Sequence, residues 1–202
     1  MAYIQCIHPE RAEGKLAEVY RRVSGPGGQV DNVLQAHSLR PHTLQGHLAL
    51  YKSVLHHSGN HVPQWFLEAV GVLVSQLNQC IYCARHHGTG LRRLLAADEA
   101  RADALLASLQ SDQPGEPFTP AELVALSYAR KLTRSPGEIA QSDIEALRAH
   151  GYSDGEILEI NQVASYFAYA NRTVLGLGVT IEGEQLGLSP EESPDTESWV
   201  HA

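Results

Sequence analysis

The chain is short of positive charge: 15 Lys and Arg stand against 23 Asp and Glu, a formal net charge of −8. Arg21-Arg22 and Arg92-Arg93 are its basic pairs, and each reads as a solvated helix face. Such a balance argues against a nucleic-acid partner. Long hydrophobic runs are missing as well. The longest, residues 66–74, is broken by Glu68, well short of the ~20 apolar residues a membrane helix needs. No membrane partner is therefore expected. The N-terminus lacks the basic start and apolar stretch of a signal peptide, so the expected location is cytoplasmic. Cysteine is scarce too, and three residues are too few for a disulfide framework. Aromatics make up 6% and apolar residues 43% of the 202 positions, enough for one domain with a sizeable core.

What is present is helix after helix. Residues 10–23 carry Leu16, Val19, Tyr20 and Val23 at helical spacing, and the Ser24-Gly25-Pro26-Gly27-Gly28 run then stops them. A short piece at 31–39 precedes Pro41. From 41 to 57, Leu44, Leu48, Tyr51, Val54 and Leu55 form one stripe. Pro63 opens the next helix in its first turn, through Leu77. Helices at 80–95 and 98–109 follow. The stretch 111–117 looks like a linker between a cysteine half and a second helical half. There, three capping boxes are expected: Thr119 with Glu122, Ser142 with Glu145, and Ser153 with Glu156. The expected fold class is all-α, as one domain over 1–188 with an acidic arm at 189–202. Strand alternation is absent, save a hint near Val179 to Ile181.

The most informative segment is Gln79-Cys80-Ile81-Tyr82-Cys83-Ala84-Arg85-His86-His87. The cysteines fall where one helix ends and the next begins. Cys83 and His87 then lie one turn apart on one face. A helix N-terminus and a neighbouring imidazole both favour the thiolate, the form that attacks peroxides and disulfides. Zinc is the sharper rival, because Cys80, Cys83, His86 and His87 could be ligands. No second C-x-x-C or H-x-x-x-H completes a tetrahedron, so no metal and no cofactor are expected. Cys6 reads as a small filler or an incidental free thiol.

Glu68 is a lone carboxylate in an apolar helix, either exposed on a narrow polar stripe or buried for a purpose. Its face, Gly71, Val72, Ser75 and Gln79, leads to Cys80. If buried, it would have a raised pKa and pass protons near neutrality.

Glu68 followed by Cys80-x-x-Cys83-x-x-x-His87 resembles the motif of the alkylhydroperoxidase AhpD family, within the carboxymuconolactone decarboxylase superfamily. The peroxidase-related branch is the nearer match, also through residues 30–33, 38–41, 166–172 and 177–179. The resemblance implies an AhpD-like helical fold and a peroxidase. In it Cys83 attacks the peroxide and Cys80 closes the disulfide, while His87 is the base and Glu68 part of the proton relay. Tyr82 stands where well-studied members carry a histidine, and His86 is a possible compensating relay group. The implied partners are a hydroperoxide, a dithiol reductant such as a lipoylated protein, and further copies of the chain in a trimer or hexamer.

Two other classes stay open. A carboxymuconolactone-type lyase would need a cationic anchor, for which Arg172 beside Asn171 is the candidate. A non-catalytic thiol sensor or zinc-stabilised module is the other. An oligomer interface is expected near Trp65, Phe66 and Leu73, with the arm ending in Trp199-Val200 strapped across a neighbour.

Overall fold

The computed structural model describes residues 2–25, 27–111, 113–195 and 197–201. Among them the regular structure is helical: α1 (Gly14–Val23), α2 (Asn32–Ala36), α3 (Pro41–Leu55), α4 (Gln64–Leu77), α5 (Ile81–Leu94), α6 (Glu99–Leu109), α7 (Pro120–Arg134), α8 (Gln141–Ala149) and α9 (Asp154–Leu177). Short 3-10 turns occupy Pro9–Arg11 and Pro136–Glu138. Val179 to Ile181 form no strand, and the bridges present are isolated ones.

Side-chain capping explains where the later helices start. Thr119 accepts the Glu122 amide while Glu122 accepts the Thr119 amide, with Pro120 at the first position of α7. Ser153 and Glu156 do the same for α9. The expected Ser142 and Glu145 box does not form. Helix α8 begins two residues earlier, at Gln141, and the Asp143 carboxylate accepts the Ala140 amide at 2.7 Å. An Asp at the third position does the work because its neighbour Lys131 also pairs with it. Helix α1 likewise starts late, because Pro9–Arg11 closes a separate turn. Pro63 precedes α4 as its cap and is not inside the first turn.

Helix α4 is the centre. Residues 66 to 75 are all buried, because α5, α6, α7, α9 and α3 surround it. A helix apolar on every face has no other stable place. The core around it draws from both sides of the 111–117 stretch, for instance Leu73, Leu105, Ala125 and Phe167. A smaller cluster joins α1 and α3 through Leu16, Val19, Tyr20, Leu44 and Leu48. Gly71 sets the α4–α9 distance: a Cβ there would lie 2.2 Å from the Phe167 ring.

Phe66 and Leu73, for which the sequence suggested a partner subunit, are covered by the chain's own helices at 1% exposure each. Trp65 packs on the same core beneath the Arg101 guanidinium, 4.7 Å from its ring. The C-terminal arm also stays on its own chain. Trp199 lies 5.9 Å from Tyr51, and Lys52 donates to the Glu191 carbonyl. The two basic pairs each lend one residue to it. Arg22 pairs with Glu197, and Arg93 donates to Gly187 and Ser189. An arginine stem that reaches a carbonyl or carboxylate is held there rather than left in water.

Candidate active site

Helices α4 and α5 are joined by a very short connection. Gln79 takes a left-handed conformation, φ 59°, unique among the described non-glycine residues. Its amide bonds the Gln76 carbonyl at 2.9 Å, and the Cys80 amide reaches the Ser75 carbonyl at 2.8 Å. That pair of bonds is the Schellman closure of α4. Cys80 is at the same time the N-cap of α5, and Cys83 follows at the third helical position.

Both thiols are free. Cys80 is wholly buried, whereas Cys83 is 5% exposed and lines a cavity. The sulfurs share one proton unequally. Cys80 is pulled down to about 7 by a hydrogen bond from the Cys83 thiol, against the opposing effect of burial. The amides of Cys83 and Tyr82 and the Asn171 side chain add to the pull. Cys83 is pushed well up by donating that bond, by burial and by the charge on Cys80. The sequence placed the favoured thiolate on Cys83; here the lowered pKa falls on Cys80, chiefly because the Cys83 thiol donates to it, with the first amides of α5 adding to the pull.

His87 Nδ1 lies 2.6 Å from Glu68 Oε2, and both line the cavity with Cys83. Burial alone would raise the Glu68 carboxyl, yet the His87 charge and hydrogen bond, with His56 and Arg93 behind, hold it below its ordinary value. The expected raised pKa is thus reversed, since a buried carboxylate with a cationic partner keeps its charge. Gly90 of α5 is close by: a Cβ there would stand 3.4 Å from Glu68 Oε1, in contact with the carboxylate. Phe167 packs edge-on against His87 with centroids 4.5 Å apart. The strip from Glu68 toward the cysteines ends in a buried amide network, in which Asn78 donates to Asn171 and Asn171 to Ser75.

A second imidazole–carboxylate pair reaches the same cavity through His86. His86 Nε2 lies 2.7 Å from Glu184 Oε1, with side-chain exposures of 8% and 2%. Tyr82 stacks on His86 at 4.5 Å and accepts the Val33 amide through its hydroxyl. Burial pushes the Tyr82 phenol well above its ordinary value, so it remains a neutral hydroxyl. Half-buried Asp31 completes this side: burial raises its carboxyl to about 6, against His86, with Glu184 adding to the rise. The remaining wall comes from Tyr51, Tyr166, His47, Trp199, His201 and Leu188. The free volume is about 60 Å³.

Asp31, Glu184 and the arm residues Trp199 and His201 escaped sequence reading, since each is far in sequence from the C-x-x-C helix. Asp31 alone had a local signal, an acidic residue just ahead of a short helix. Arg172, the suggested anchor for a lactone acid, is exposed and donates to the Ala168 carbonyl of its own helix. It does not line the cavity. Its neighbour Asn171 is the buried one.

No family profile and no curated protein sequence matches the chain. Solved structures do. An uncharacterised peroxidase-related protein from Silicibacter sp. TM1040 superposes with TM-score 0.76 and 25% identity, covering 89% of this chain and 91% of the other. A second peroxidase-related protein, from Ralstonia eutropha JMP134 and described as an alkylhydroperoxidase AhpD core, gives 0.74 and 24% with the same coverage. The fold is AhpD-like. The debrominase Bmp8 shares this AhpD-like fold at TM-score 0.69 and 20% identity, over 88% of this chain and 91% of its own. Another structure of that debrominase holds 2,3,4-tribromopyrrole, at TM-score 0.64 and 18% identity over 84% of each chain. The AhpD-like frame therefore carries more than one chemistry.

Among the described residues no group of three or more His, Cys, Asp or Glu side chains could hold a metal ion. Among the same residues no helix is long and apolar enough to cross a membrane.

Proposed function

We propose that the chain is a thiol-dependent peroxidase that cycles between the Cys80/Cys83 dithiol and its disulfide. The observation that carries this reading is one cavity lined by Cys83, His87 and Glu68, with Cys80 directly behind. Access assigns the attack to Cys83, although Cys80 holds the charge at rest. As the peroxide enters, the Cys83 proton passes along the existing hydrogen bond to the Cys80 thiolate. The Cys83 sulfur then takes the terminal oxygen. The O–O bond breaks, Cys83 becomes a sulfenic acid, and the departing alkoxide must gain a proton. The imidazole of His87, fixed by Glu68, is placed to give it, with Asp31 and His86 on the opposite wall. Cys80 next attacks the sulfenic sulfur. An S–S bond forms and the hydroxyl leaves as water. Two electrons from an external dithiol restore the pair, and a lipoylated protein would serve.

The free volume of about 60 Å³ accommodates a small peroxide beside Cys83. Turnover of hydrogen peroxide and small alkyl hydroperoxides with a dithiol donor tests the proposal. Loss of two free thiols on oxidation, regained with the donor, is the expected signature. Oxidation confined to Cys6 would refute it.

A further inference from the structure

Three residues that line the cavity each carry a buried nitrogen without a protein partner: His47 Nδ1, Trp199 Nε1 and His201 Nδ1. Buried polar atoms are nearly always satisfied, so a group of them beside one void marks a place where something else supplies the bond. Two of the three belong to the C-terminal arm, residues 189–195 and 197–201, which supplies part of the cavity wall through Ser189, Trp199 and His201.

The chemistry of those two atoms is complementary. Trp199 Nε1 carries a hydrogen and can only donate. His201 Nε2 lies 3.2 Å from the Val23 carbonyl, which can only accept, so that nitrogen carries a hydrogen. In the neutral imidazole Nδ1 of His201 is then the lone pair that accepts. A ligand that satisfies both must accept at one point and donate at another. A hydroxyl or hydroperoxyl group does this; a halogen or an ether does not, and a carboxylate meets only half of the requirement.

The arm's own attachments explain how it can both complete the cavity and leave it. Its root is held by Arg93 through Gly187 and Ser189. Beyond the root the arm is held by hydrogen bonds and an ion pair. Lys52 donates to the Glu191 carbonyl, Ser193 exchanges backbone bonds with His56 and Ser58, and Arg22 meets Glu197. The Glu191 amide donates to the Val200 carbonyl, which folds the arm back on itself as a unit. One aromatic, Trp199, seats that unit on Tyr51.

From this arrangement we infer that the C-terminal arm is a lid over Cys83, and that Trp199 and His201 form its recognition pair for the O–H of a hydroxyl- or hydroperoxyl-bearing substrate. The inference rests on the reading that Cys83 reacts inside this cavity. With the lid shut, the cavity takes a molecule the size of hydrogen peroxide. Larger hydroperoxides enter only as the arm lifts about its Arg93-held root, and the closing Trp199 and His201 then grip the peroxyl end.

The lid is tested without reliance on peroxidase turnover, by the alkylation rate of Cys83 in the full chain. Iodoacetamide serves as the small reagent and N-benzylmaleimide as the bulky one, with the modified residue identified by mass spectrometry. Truncation after Ser189, and separately Trp199→Ala, should raise the bulky rate severalfold while the small reagent changes little. The point variant keeps the test valid if the truncated chain does not fold, as judged by its helical circular dichroism. An unchanged bulky rate in both, or an equal rise for both reagents, overturns the lid.

The recognition pair is tested by tert-butanol, the unreactive counterpart of a hydroperoxide, read as protection of Cys83 from iodoacetamide. Trp199→Phe and His201→Phe should each weaken that protection by about 3- to 10-fold, as expected for one lost hydrogen bond. Equal protection in the variants and the parent chain, or none in the parent, means that water alone fills the subsite and overturns the pair. Absence of turnover with every hydroperoxide, alongside size-selective alkylation and alcohol protection, would instead refute the peroxidase reading and leave the lid standing.

Discussion

His87 and Glu68 sit on adjacent helices with Nδ1 and Oε2 2.6 Å apart, inside a core where Glu68 is 1% exposed. The contact fixes which face of the imidazole meets the cavity: Nδ1 is committed to the carboxylate, leaving Nε2 for substrate or thiol. A carboxylate that orients an imidazole and stabilises its cation is a familiar device in acid–base sites.

Replacing Glu68 by Gln keeps the shape and removes the charge. Peroxide turnover should fall by roughly 10²–10⁴-fold, while the thermal midpoint and circular dichroism stay close to those of the parent. An unchanged rate would make Glu68 a packing residue only.

The thiolate should be visible in the ultraviolet as a titration with midpoint about 7, the value to which Cys80 is lowered. Cys80→Ser should abolish that step, because the lowered thiol is gone and Cys83 keeps the cost of burial. In the same variant the sulfenic acid should form at Cys83, slowly, and be trapped there. A midpoint near 7 that survives Cys80→Ser would reverse the charge assignment.

Acid should weaken the fold through two buried histidines. Burial lowers His47 to about 3, with His37 adding to the effect, and it lowers His56 to about 4. Between those values and the ordinary ~6.5, the unfolded chain binds protons that the folded one refuses. Stability is therefore full above ~6.5 and is lost as pH falls, by roughly 2 to 3 kcal/mol per histidine at pH ~4.5. Asp31 works the other way. Its folded value near 6 contributes stability at low pH that disappears as pH rises through 6. Urea unfolding at neutral and mildly acid pH should show the net loss, and His47→Gln should reduce it.

Gly71→Ala should destabilise by about 1–3 kcal/mol, the usual range for an overpacked core. Its methyl would meet the Phe167 ring at 2.2 Å, and that ring is what packs against His87. Thermal unfolding measures the first effect. A shifted pH profile of turnover would report the second, whereas a midpoint unchanged from the parent would mean that α9 gives way freely.

The fold was legible wherever one chain segment carries its own instructions. Thr119 and Ser153 announce α7 and α9 because a cap is a local hydrogen-bond problem solved within four residues. Asp143 was missed because Ser142 and Glu145 offered the same spacing two residues along, and the choice between them involves Lys131 on another helix. In the site, Cys80, Cys83 and His87 share one helix start, so spacing revealed them. Glu68 was noticed for its incongruity, but the sign of its pKa shift was not readable. That sign depends on His87 reaching across from α5, and burial alone would have decided it the other way. Asp31, Glu184, Trp199 and His201 come together only through the tertiary fold. The arm looked like a strap for a neighbour because an aromatic near a chain end needs cover; sequence cannot say that Tyr51 of the same chain provides it.

The junction at Cys80 joins two tasks in a single residue. Its amide secures the end of α4, and its sulfur supplies the negative charge that the first amides of α5 face. Conversion to a disulfide removes that charge while leaving the amide bond in place. The start of α5 should then fray more readily than the end of α4. Amide exchange at Tyr82 and Cys83 would therefore run faster in the oxidised chain, with Gln79 and Cys80 little changed. A local helix terminus would in this way register the electron count of the pair, and a reductant approaching the oxidised protein would meet a looser segment than the one the peroxide encountered.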